Sequence, residues 1–260
     1  MKKMVQSAGK VKPQCSSLIV KLANCWEEIE QALQLRYQVF VEEAGNLSMM
    51  NESKMEQDRY DNFCDHVIVK DLETDKIVGT YRLLPGDRTS ETAGFYSETE
   101  FDLASLQEHR MFTLELGRSC TAPEHRNGRV IQMLWEGIAD YIKQRDIRYV
   151  IGCASLHVTD IQALNNMYTM LIKTGLISNR FGISPLATHR IDQLQILDLE
   201  FSPNDMIRKL PPLMKGYYWL GAEIGGEPAF DPIFQTTDFF MILDPLKISK
   251  RYKRHFLANK

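Results

Sequence analysis

Residues 112–140 read FTLELGRSCTAPEHRNGRVIQMLWEGIAD and contain the transition that decides the fold. An apolar segment of strand character leads through a turn rich in Pro, Arg and Gly into an amphipathic helix. A helix N-terminus directly after a strand presents free backbone N–H groups and the positive end of the helix dipole, which together bind anions. The segment therefore points to group transfer from a phosphate-bearing donor.

Two charged residues, Glu115 and Arg118, lie in this strand, where a buried strand should be apolar. Because they are three positions apart, a regular strand would place their side chains on opposite faces. Gly117 between them predicts a β-bulge, which would shift the alternation and bring both side chains toward one side. The strand therefore carries a candidate charged site.

The composition is that of an ordinary globular chain and excludes several classes of protein. A chain of 260 residues with 44% hydrophobic and 25% charged residues is long and apolar enough to bury a core. The net charge of −3 lacks the basic footprint of a nucleic-acid binder, so no nucleic-acid partner is expected. Five cysteines at irregular positions fit a reducing compartment. With no signal-peptide pattern and no apolar run near the ~18 residues that span a bilayer, we expect a cytoplasmic protein.

The order of the predicted elements describes one α/β domain at residues 17–246, with a flexible leader at 1–16 and a basic tail at 247–260. Helices are predicted at 26–43, 129–145 and 160–173. Strands are predicted at 17–22, 66–70, 77–84, 112–121, 149–154, 194–199 and 239–243. Hairpin strands followed by a strand–helix–strand unit indicate a mixed sheet.

Several segments between residues 33 and 244 together carry a specific resemblance. They are LQLRYQVFVEEAG, DRYDNFCDHVIVKD, IVGTYRLL, GFYSETEFDL, LELGRSCTAPEHRNG, IQMLWEGIADY, GCAS, LPPLMKGYYWLGA and DPIFQTTDFFMILD. The chain resembles the GNAT acyltransferases and, among them, the bacterial N-acyl amino acid synthases, chiefly the ornithine N-acyltransferases that make lyso-ornithine lipid from 3-hydroxyacyl carrier protein. The resemblance implies a mixed, mostly antiparallel twisted sheet flanked by helices, with a splayed central strand.

A weaker resemblance links the same segments to the acyl-homoserine-lactone synthases. The matching positions are Arg36 and Phe40, Asp58 and Asp61, Arg82, and Glu115 with Arg118. Both families take acyl chains from acyl carrier protein and attach them to the α-amine of an amino acid. The resemblance therefore implies acyl transfer that forms an amide.

The turn before the long helix departs from the usual acetyl-CoA turn, Q/R-x-x-G-x-G/A, because Arg129 and Ile131 stand where that pattern has small residues. A phosphopantetheine arm on an acidic carrier protein presents a single phosphate, which suits Arg126 and Arg129. We expect no resident cofactor; the donor is the 4'-phosphopantetheine of acyl carrier protein, with acyl-CoA as the alternative. The predicted donor-binding residues are Arg126, Asn127, Gly128, Arg129 and Val130.

Under this resemblance Glu115 and Arg118 are the candidate catalytic residues. Glu115 would accept a proton from the substrate ammonium, since the amine must be neutral to attack a thioester. A bulge beside Arg118 would free a backbone N–H for the thioester oxygen. The alternative for Glu115 is a buried structural ion pair with another arginine.

A second group, Arg36, Phe40, Asp58, Asp61 and Arg82, is predicted to order the loop over the acceptor or to bind it. An arginine in this group would hold the acceptor carboxylate by a bidentate contact. The alternative is a salt-bridge network that only supports the scaffold. Three Cys–His pairs also invite a metal interpretation, but their spacing is not that of a zinc site, so we expect no metal. They are Cys64 and His66, Cys120 and His125, and Cys153 and His157.

The function implied by the resemblance is transfer of a 3-hydroxylated acyl chain to the α-amine of an amino acid, with ornithine favoured. Glycine, lysine or glutamine as acceptor is one alternative, and a non-catalytic module that binds carrier protein or lipid is another. The tail at 247–260 is expected either to contact an anionic membrane surface, at ~1 kcal/mol per basic residue, or to be a solvated chain end.

Overall fold

The computed structural model of the chain describes residues 17–158, 160–200, 207–210 and 212–248, with residues 212 and 213 described by their backbone alone. The expected leader and most of the expected tail lie outside the described residues. The helices are α1 Trp26–Tyr37, α2 Thr89–Thr92, α3 Arg129–Gln144, α4 Ile161–Lys173 and α5 Pro212–Leu220. The strands are β1 Leu18–Leu22, β2 Asp65–Asp71, β3 Lys76–Pro85, β4 Phe101–Asp102, β5 Thr113–Thr121, β6 Tyr149–Leu156, β7 Ser184–Pro185, β8 Glu223–Ile224, β9 Ala229–Asp231 and β10 Thr236–Leu243.

The main sheet has the strand order β1-β2-β3-β5-β6-β10-β8, with β9 also paired to β10. Its described strand pairs are antiparallel except β5 with β6, which run parallel. The expected mixed, mostly antiparallel sheet is therefore confirmed. The predicted helix at 26–43 is continuous, but its last part, Gln38–Glu43, is a π-helix.

Both faces of the sheet are covered, and β10 shows this most clearly because every residue of it is buried. Phe239, Met241 and Leu243 pack in the cluster that holds the apolar faces of α3, α4 and α5. Phe240 and Ile242 pack in a second cluster, formed by the connection between β3 and β5. Because the side chains of β10 alternate between two apolar layers, both faces of the strand can be apolar, which accounts for the apolar run at residues 239–243.

The predicted apolar face of α3 packs on the sheet as expected. Val130, Leu134 and Ile138 are almost wholly buried there. At Gly137 a Cβ atom would lie 2.8 Å from Val67 and 2.9 Å from Val20, so glycine lets the helix backbone approach β1 and β2 closely. This packing fixes the position of the α3 N-terminus, which follows directly from β5.

The prediction of a strand at 194–199 is wrong, because these residues do not form a strand. Its backbone N–H groups are satisfied by side chains of α4: Gln195 donates to Asn165 Oδ1 at 3.0 Å, and Leu197 donates to Thr169 Oγ1 at 2.9 Å. Residues 194–199 therefore run along a helix and bond to its side chains instead of pairing with a neighbouring strand. Among the helices of the described residues, none combines the length and the apolar character that a membrane span requires.

Candidate active site

The candidate site is a cavity where β5 and β6 separate. The two strands pair only from Thr113 to Glu115 on β5 and from Tyr149 to Ile151 on β6, and they diverge beyond these residues. At Gly152 on β6 a Cβ atom would lie 2.2 Å from the carbonyl oxygen of Leu116 on β5, so only glycine allows the two backbones to approach this closely. The expected splay of the central strand is present, and it opens a cavity of about 220 Å³. Residues on its walls that the following paragraphs use are Phe40, Arg82, Tyr96, Ser97, Glu115, Arg118, Cys153, Ser155, Asp231, Phe234, Thr236 and Asp238.

The predicted bulge lies in β5, but its unusual backbone is not at the glycine. Arg82 pairs with Gly117 and Thr80 pairs with Cys120, so two residues of β5 lie opposite one residue of β3. Arg118 is the residue with positive φ, at +52°, a region that costs a non-glycine residue energy. The bulge brings Glu115 and Arg118 to the same cavity, as the parity argument required.

Glu115 is buried and anchors the turn at Tyr96–Thr99. Its carboxylate accepts hydrogen bonds from the Tyr96 N–H at 2.7 Å, the Ser97 N–H at 2.8 Å and the Ser97 hydroxyl at 2.6 Å. Burial raises the pKa of Glu115, and these hydrogen bonds oppose the rise without cancelling it. The described residues hold Glu115 by hydrogen bonds from this turn, which differs from the ion pair given as its alternative role.

Arg118 lies between two aromatic rings. Its guanidinium carbon is 4.5 Å from the Tyr96 ring centroid and 4.6 Å from that of Phe234. The same side chain donates to Glu56 Oε1 at 3.1 Å and to Asp58 Oδ2 at 3.0 Å. Stacking and pairing hold the guanidinium plane in one orientation at the cavity wall.

A balanced network of three arginines and three carboxylates continues behind Arg118. Arg36 is fully buried; it donates to Glu56 at 2.6 Å and to both oxygens of Asp61, at 2.6 and 3.1 Å. Arg82 donates to Asp58 Oδ1 at 2.6 Å. The structure thus brings together Arg36, Asp58, Asp61 and Arg82, and adds Glu56. Because Arg36 has no exposed surface, its position suits ordering of the 56–61 segment, while Phe40 and Arg82 line the cavity itself.

His66 lies beside this network and is 1% exposed, and neither ring nitrogen has a hydrogen-bond partner within the described part of the chain. Its Nε2 is 3.9 Å from Asp61 Oδ1. Burial lowers the pKa of His66 to about 4; Asp61 opposes this change, and Arg36 and Arg82 reinforce it. The ring is therefore held neutral.

We expect the native state to lose stability as the pH falls from about 6.5 to about 4. The unfolded chain binds the imidazole proton at its ordinary pKa, whereas native His66 resists it, so acid favours unfolding by up to about 3 kcal/mol. Urea unfolding of wild type and His66→Leu across this range measures the difference. Between pH 7 and pH 4 the free energy of unfolding of wild type should fall more than that of His66→Leu. The control His189→Leu, at a half-buried histidine, should follow wild type. Parallel curves for wild type and His66→Leu would exclude this assignment.

The opposite wall of the cavity is acidic. Asp231 and Asp238 line it, and the Glu100, Cys153 and Asp238 ligand atoms lie within 4.8 Å of one another. Burial, reinforced by the neighbouring carboxylates, raises the pKa of Glu100 to about 9 and that of Asp238 to about 6. Burial also raises the pKa of the Cys153 thiol, which disfavours the thiolate that a metal ion would need.

The predicted donor turn lies at the N-terminus of α3. Gly128, with φ +89°, is the N-cap residue, and because glycine has no side chain the helix lacks a side-chain cap at this position. The Arg129 N–H donates to Asn127 Oδ1 at 3.0 Å, and Arg126 forms a bidentate pair with Glu43. The Val130 side chain is 1% exposed and belongs to the core. Within this turn the Arg129 side chain is exposed, whereas Arg126 is engaged by Glu43 and Val130 by the core.

Comparison with known sequences shows which family the chain belongs to. The chain is 36% identical, over 252 residues, to an L-ornithine N(alpha)-acyltransferase of Brucella abortus (strain 2308), with 93% of this chain and 89% of that protein covered. The chain belongs to the L-ornithine N(alpha)-acyltransferase family. A second member, from Rhodobacter capsulatus, is 34% identical over 248 residues, covering 91% of this chain and 93% of that protein.

Two further comparisons concern the fold. The family profile described as "Acetyltransferase (GNAT) domain" matches residues 35–136. A CoA-dependent acyl-homoserine lactone synthase, BjaI, solved with SAM and isopentyl-CoA, has the same fold, with a TM-score of 0.51 and 14% identity over 92% of this chain and 89% of that chain. The expected GNAT fold and acyltransferase class are therefore confirmed.

Four carboxylates at the site were not selected from the sequence: Glu56, Glu100, Asp231 and Asp238. Asp238 interrupts the apolar strand TTDFFMIL just as Glu115 interrupts β5, so the same signal would have selected it. Glu56 and Glu100 lie in polar connections, and Asp231 is the last residue of the short strand β9, positions where acidic residues are usually solvated; only the tertiary structure shows their burial.

Proposed function

We propose that this chain transfers a 3-hydroxylated acyl chain from acyl carrier protein to the α-amine of ornithine, giving a lyso-ornithine lipid. The observation that carries the proposal is the cavity at the β5–β6 splay, which places Glu115 and Arg118 together in a chain whose relatives are L-ornithine N(alpha)-acyltransferases. Acyl carrier protein is preferred over CoA as donor because Arg129 and Ile131 stand where the turn that wraps a CoA pyrophosphate has small residues.

The chemistry requires a neutral amine. In the proposed reaction the α-nitrogen attacks the thioester carbonyl carbon, a C–N bond forms, and the C–S bond breaks. The phosphopantetheine sulfur leaves as the thiol, taking up the second proton that the nitrogen loses as it becomes an amide. Glu115 accepts the proton lost by the ammonium, directly or through water, for which its raised pKa is suited. The backbone of β5 beyond Glu115, free of β6, is placed to donate an N–H to the thioester oxygen.

The remaining predicted residues fit supporting roles. Arg118 and Arg82 line the cavity with their guanidinium groups, and an acceptor α-carboxylate is the natural ligand for such groups. Arg36, Asp58 and Asp61 hold the 56–61 segment that orients both arginines. We propose that this segment fixes the acceptor carboxylate while Glu115 faces its amine.

The purified protein would be incubated with 3-hydroxyacyl carrier protein or the matching acyl-CoA, each with ornithine, glycine, lysine or glutamine, and products identified by mass spectrometry. The proposal predicts an N-acyl ornithine, formed faster from carrier protein than from CoA. A dominant product on glycine or glutamine would reassign the acceptor. Binding of carrier protein with no product from either donor would favour the non-catalytic module.

Arg129→Ala is expected to raise KM for the carrier-protein donor about tenfold, with kcat nearly unchanged, because an exposed cation at the α3 N-terminus contributes to phosphate binding and not to the chemical step. The effect should shrink at high salt, where exposed charges are screened. Lys143→Ala, at the other end of the same helix, is the matched control and should leave KM unchanged. Equal effects of both substitutions would indicate general surface charge and remove the donor-site role.

A further inference from the structure

The acidic wall has no part in the proposed acyl-transfer step: Asp231 and Asp238 line the cavity, and Glu100 lies beside them, with a carboxyl oxygen within 4.8 Å of one of Asp238. We infer that this wall binds the side-chain ammonium of a dibasic amino acid acceptor and holds that second amine in its protonated, unreactive form. The inference rests on the proposed function and extends it by naming the residues that select the acceptor and the amine.

The wall concentrates three buried acidic groups that no basic side chain of the described residues pairs with. Glu100, Asp231 and Asp238 are each at most 3% exposed, yet none of them takes part in the ion pairs formed within the described residues. Glu100 Oε1 is buried without a hydrogen-bond partner in the described structure, and Glu100 Oε2 has only the Cys153 thiol, at 3.9 Å. The arginine network nearby is, by contrast, balanced. Burial and mutual repulsion favour the neutral acid form of Glu100 in the empty cavity, and a cation would stabilise the charged form, so a cationic ligand is the partner that this wall lacks.

An ammonium group fits the donor pattern of the wall better than a metal ion does. Asp238 already accepts hydrogen bonds from Ser155 at 2.9 Å and Thr236 at 2.7 Å, and Asp231 accepts two backbone N–H groups. Carboxylate oxygens that keep further lone pairs can accept the three N–H donors of an ammonium. Metal binding would require direct coordination by fully deprotonated ligands, including a Cys153 thiolate that its buried surroundings disfavour.

The separation of the acidic wall from Glu115 suits the two ends of one amino acid. Ser97 Oγ lies 2.6 Å from Glu115 Oε1 and 3.5 Å from Cys153 Sγ, and Cys153 Sγ lies within 4.8 Å of an Asp238 carboxyl oxygen. The Glu115 and Asp238 carboxyl groups are therefore no more than about 11 Å apart. An extended chain of five bonds between two amines spans about 6 Å and, with a hydrogen bond of about 3 Å at each end, reaches far enough to join the two groups. Glycine and glutamine have no second ammonium to reach this wall.

The wall also explains which amine would react. Carboxylates close to an amine favour its charged form, and a protonated amine has no lone pair with which to attack a thioester. The amine bound by Glu100, Asp231 and Asp238 is therefore spared. The other amine faces the single carboxylate of Glu115, which accepts its proton for the reaction, and this difference directs acylation to the α-nitrogen.

The test compares L-ornithine with L-norleucine, a neutral amino acid of similar length, for wild type, Glu100→Gln and Asp238→Asn. Wild type should prefer ornithine by at least ~100-fold in kcat/KM, and each variant should lose at least ~30-fold on ornithine while changing less than about threefold on norleucine. Asp244→Asn is the control: this carboxylate is equally buried, near the end of the same strand, and pairs with Arg148 outside the cavity. The control should keep the wild-type preference.

Equal wild-type rates on the two acceptors would overturn the inference and leave the proposed function standing, as would an equal loss on both acceptors in Asp238→Asn. If wild type acylates neither amino acid, the proposed function fails, and calorimetry without donor then decides the inference separately. Ornithine should bind wild type, and at least ~30-fold more weakly Asp238→Asn, whereas norleucine should bind both weakly. Tight binding of Zn²⁺ or Mn²⁺ that Asp238→Asn abolishes, with no ornithine binding, would assign the wall to a metal instead.

Discussion

Arg36→Met is expected to lower the free energy of unfolding by about 3–5 kcal/mol, the cost of leaving a buried ion network with one partner missing. Arg36 is 0% exposed and bonds to Glu56 and Asp61 together, so methionine fills the volume but leaves two arginines, Arg82 and Arg118, for the three carboxylates of the network. Such a loss is a large part of the total stability of a domain. Urea unfolding monitored by circular dichroism measures it.

The matched control is Arg126→Met. Arg126 also makes a bidentate contact with a carboxylate, that of Glu43, but both side chains are more than 40% exposed. Because exposed ion pairs are screened by water, this substitution should cost less than about 1 kcal/mol. Similar losses for Arg36→Met and Arg126→Met would show that burial does not set the energetics of the network.

Glu115→Gln is expected to reduce kcat at least ~100-fold, because the amide keeps the size of the side chain but cannot accept a proton. Wild-type kcat should fall on the acid side as the pH decreases through the raised pKa of Glu115, since only the carboxylate form accepts the proton. That acid limb should disappear in the variant. Steady-state rates with saturating donor and acceptor between pH 5 and pH 9 provide the measurement.

A purely structural role of Glu115 has a different signature. Ser97→Ala removes the hydroxyl donor to Glu115 but keeps the backbone N–H groups of Ser97 and Tyr96, so it disturbs the anchored turn without removing the carboxylate. Its kcat should fall by less than about tenfold, and its acid limb should remain. If Glu115→Gln retains the acid limb, or both substitutions reduce kcat equally, Glu115 only supports the turn.

The sequence predicted the parts of the fold that are governed by local periodicity. The strand–turn–helix at 112–140 was recognised because β5 is apolar and α3 repeats its apolar residues at helical spacing. The parity of Glu115 and Arg118 predicted a bulge, but it did not show that Arg118 itself takes the positive φ. That choice depends on the stacking of its guanidinium between Tyr96 and Phe234, which are distant in sequence.

The rest of the site depends on contacts that no local pattern encodes. Glu115 is held by Ser97, which lies in a connection of short helical turns with no clear period. The acidic wall combines Glu100 from this connection with Asp238 from β10, residues 138 positions apart whose proximity follows only from the sheet order. The wrong strand at 194–199 has a similar cause, since the α4 side chains that bind its backbone cannot be identified from the segment alone.

Acyl transfer to the α-amine of ornithine can be followed through the nitrogen atom that becomes the amide. Wild-type protein would be incubated with 3-hydroxyacyl carrier protein and with ornithine that carries nitrogen-15 only at the α position, and the product would be examined by nuclear magnetic resonance and tandem mass spectrometry. We expect a single labelled amide N–H and a free side-chain ammonium. An unlabelled amide, which places the acyl chain on the side-chain amine, or unchanged ornithine would exclude the proposed reaction.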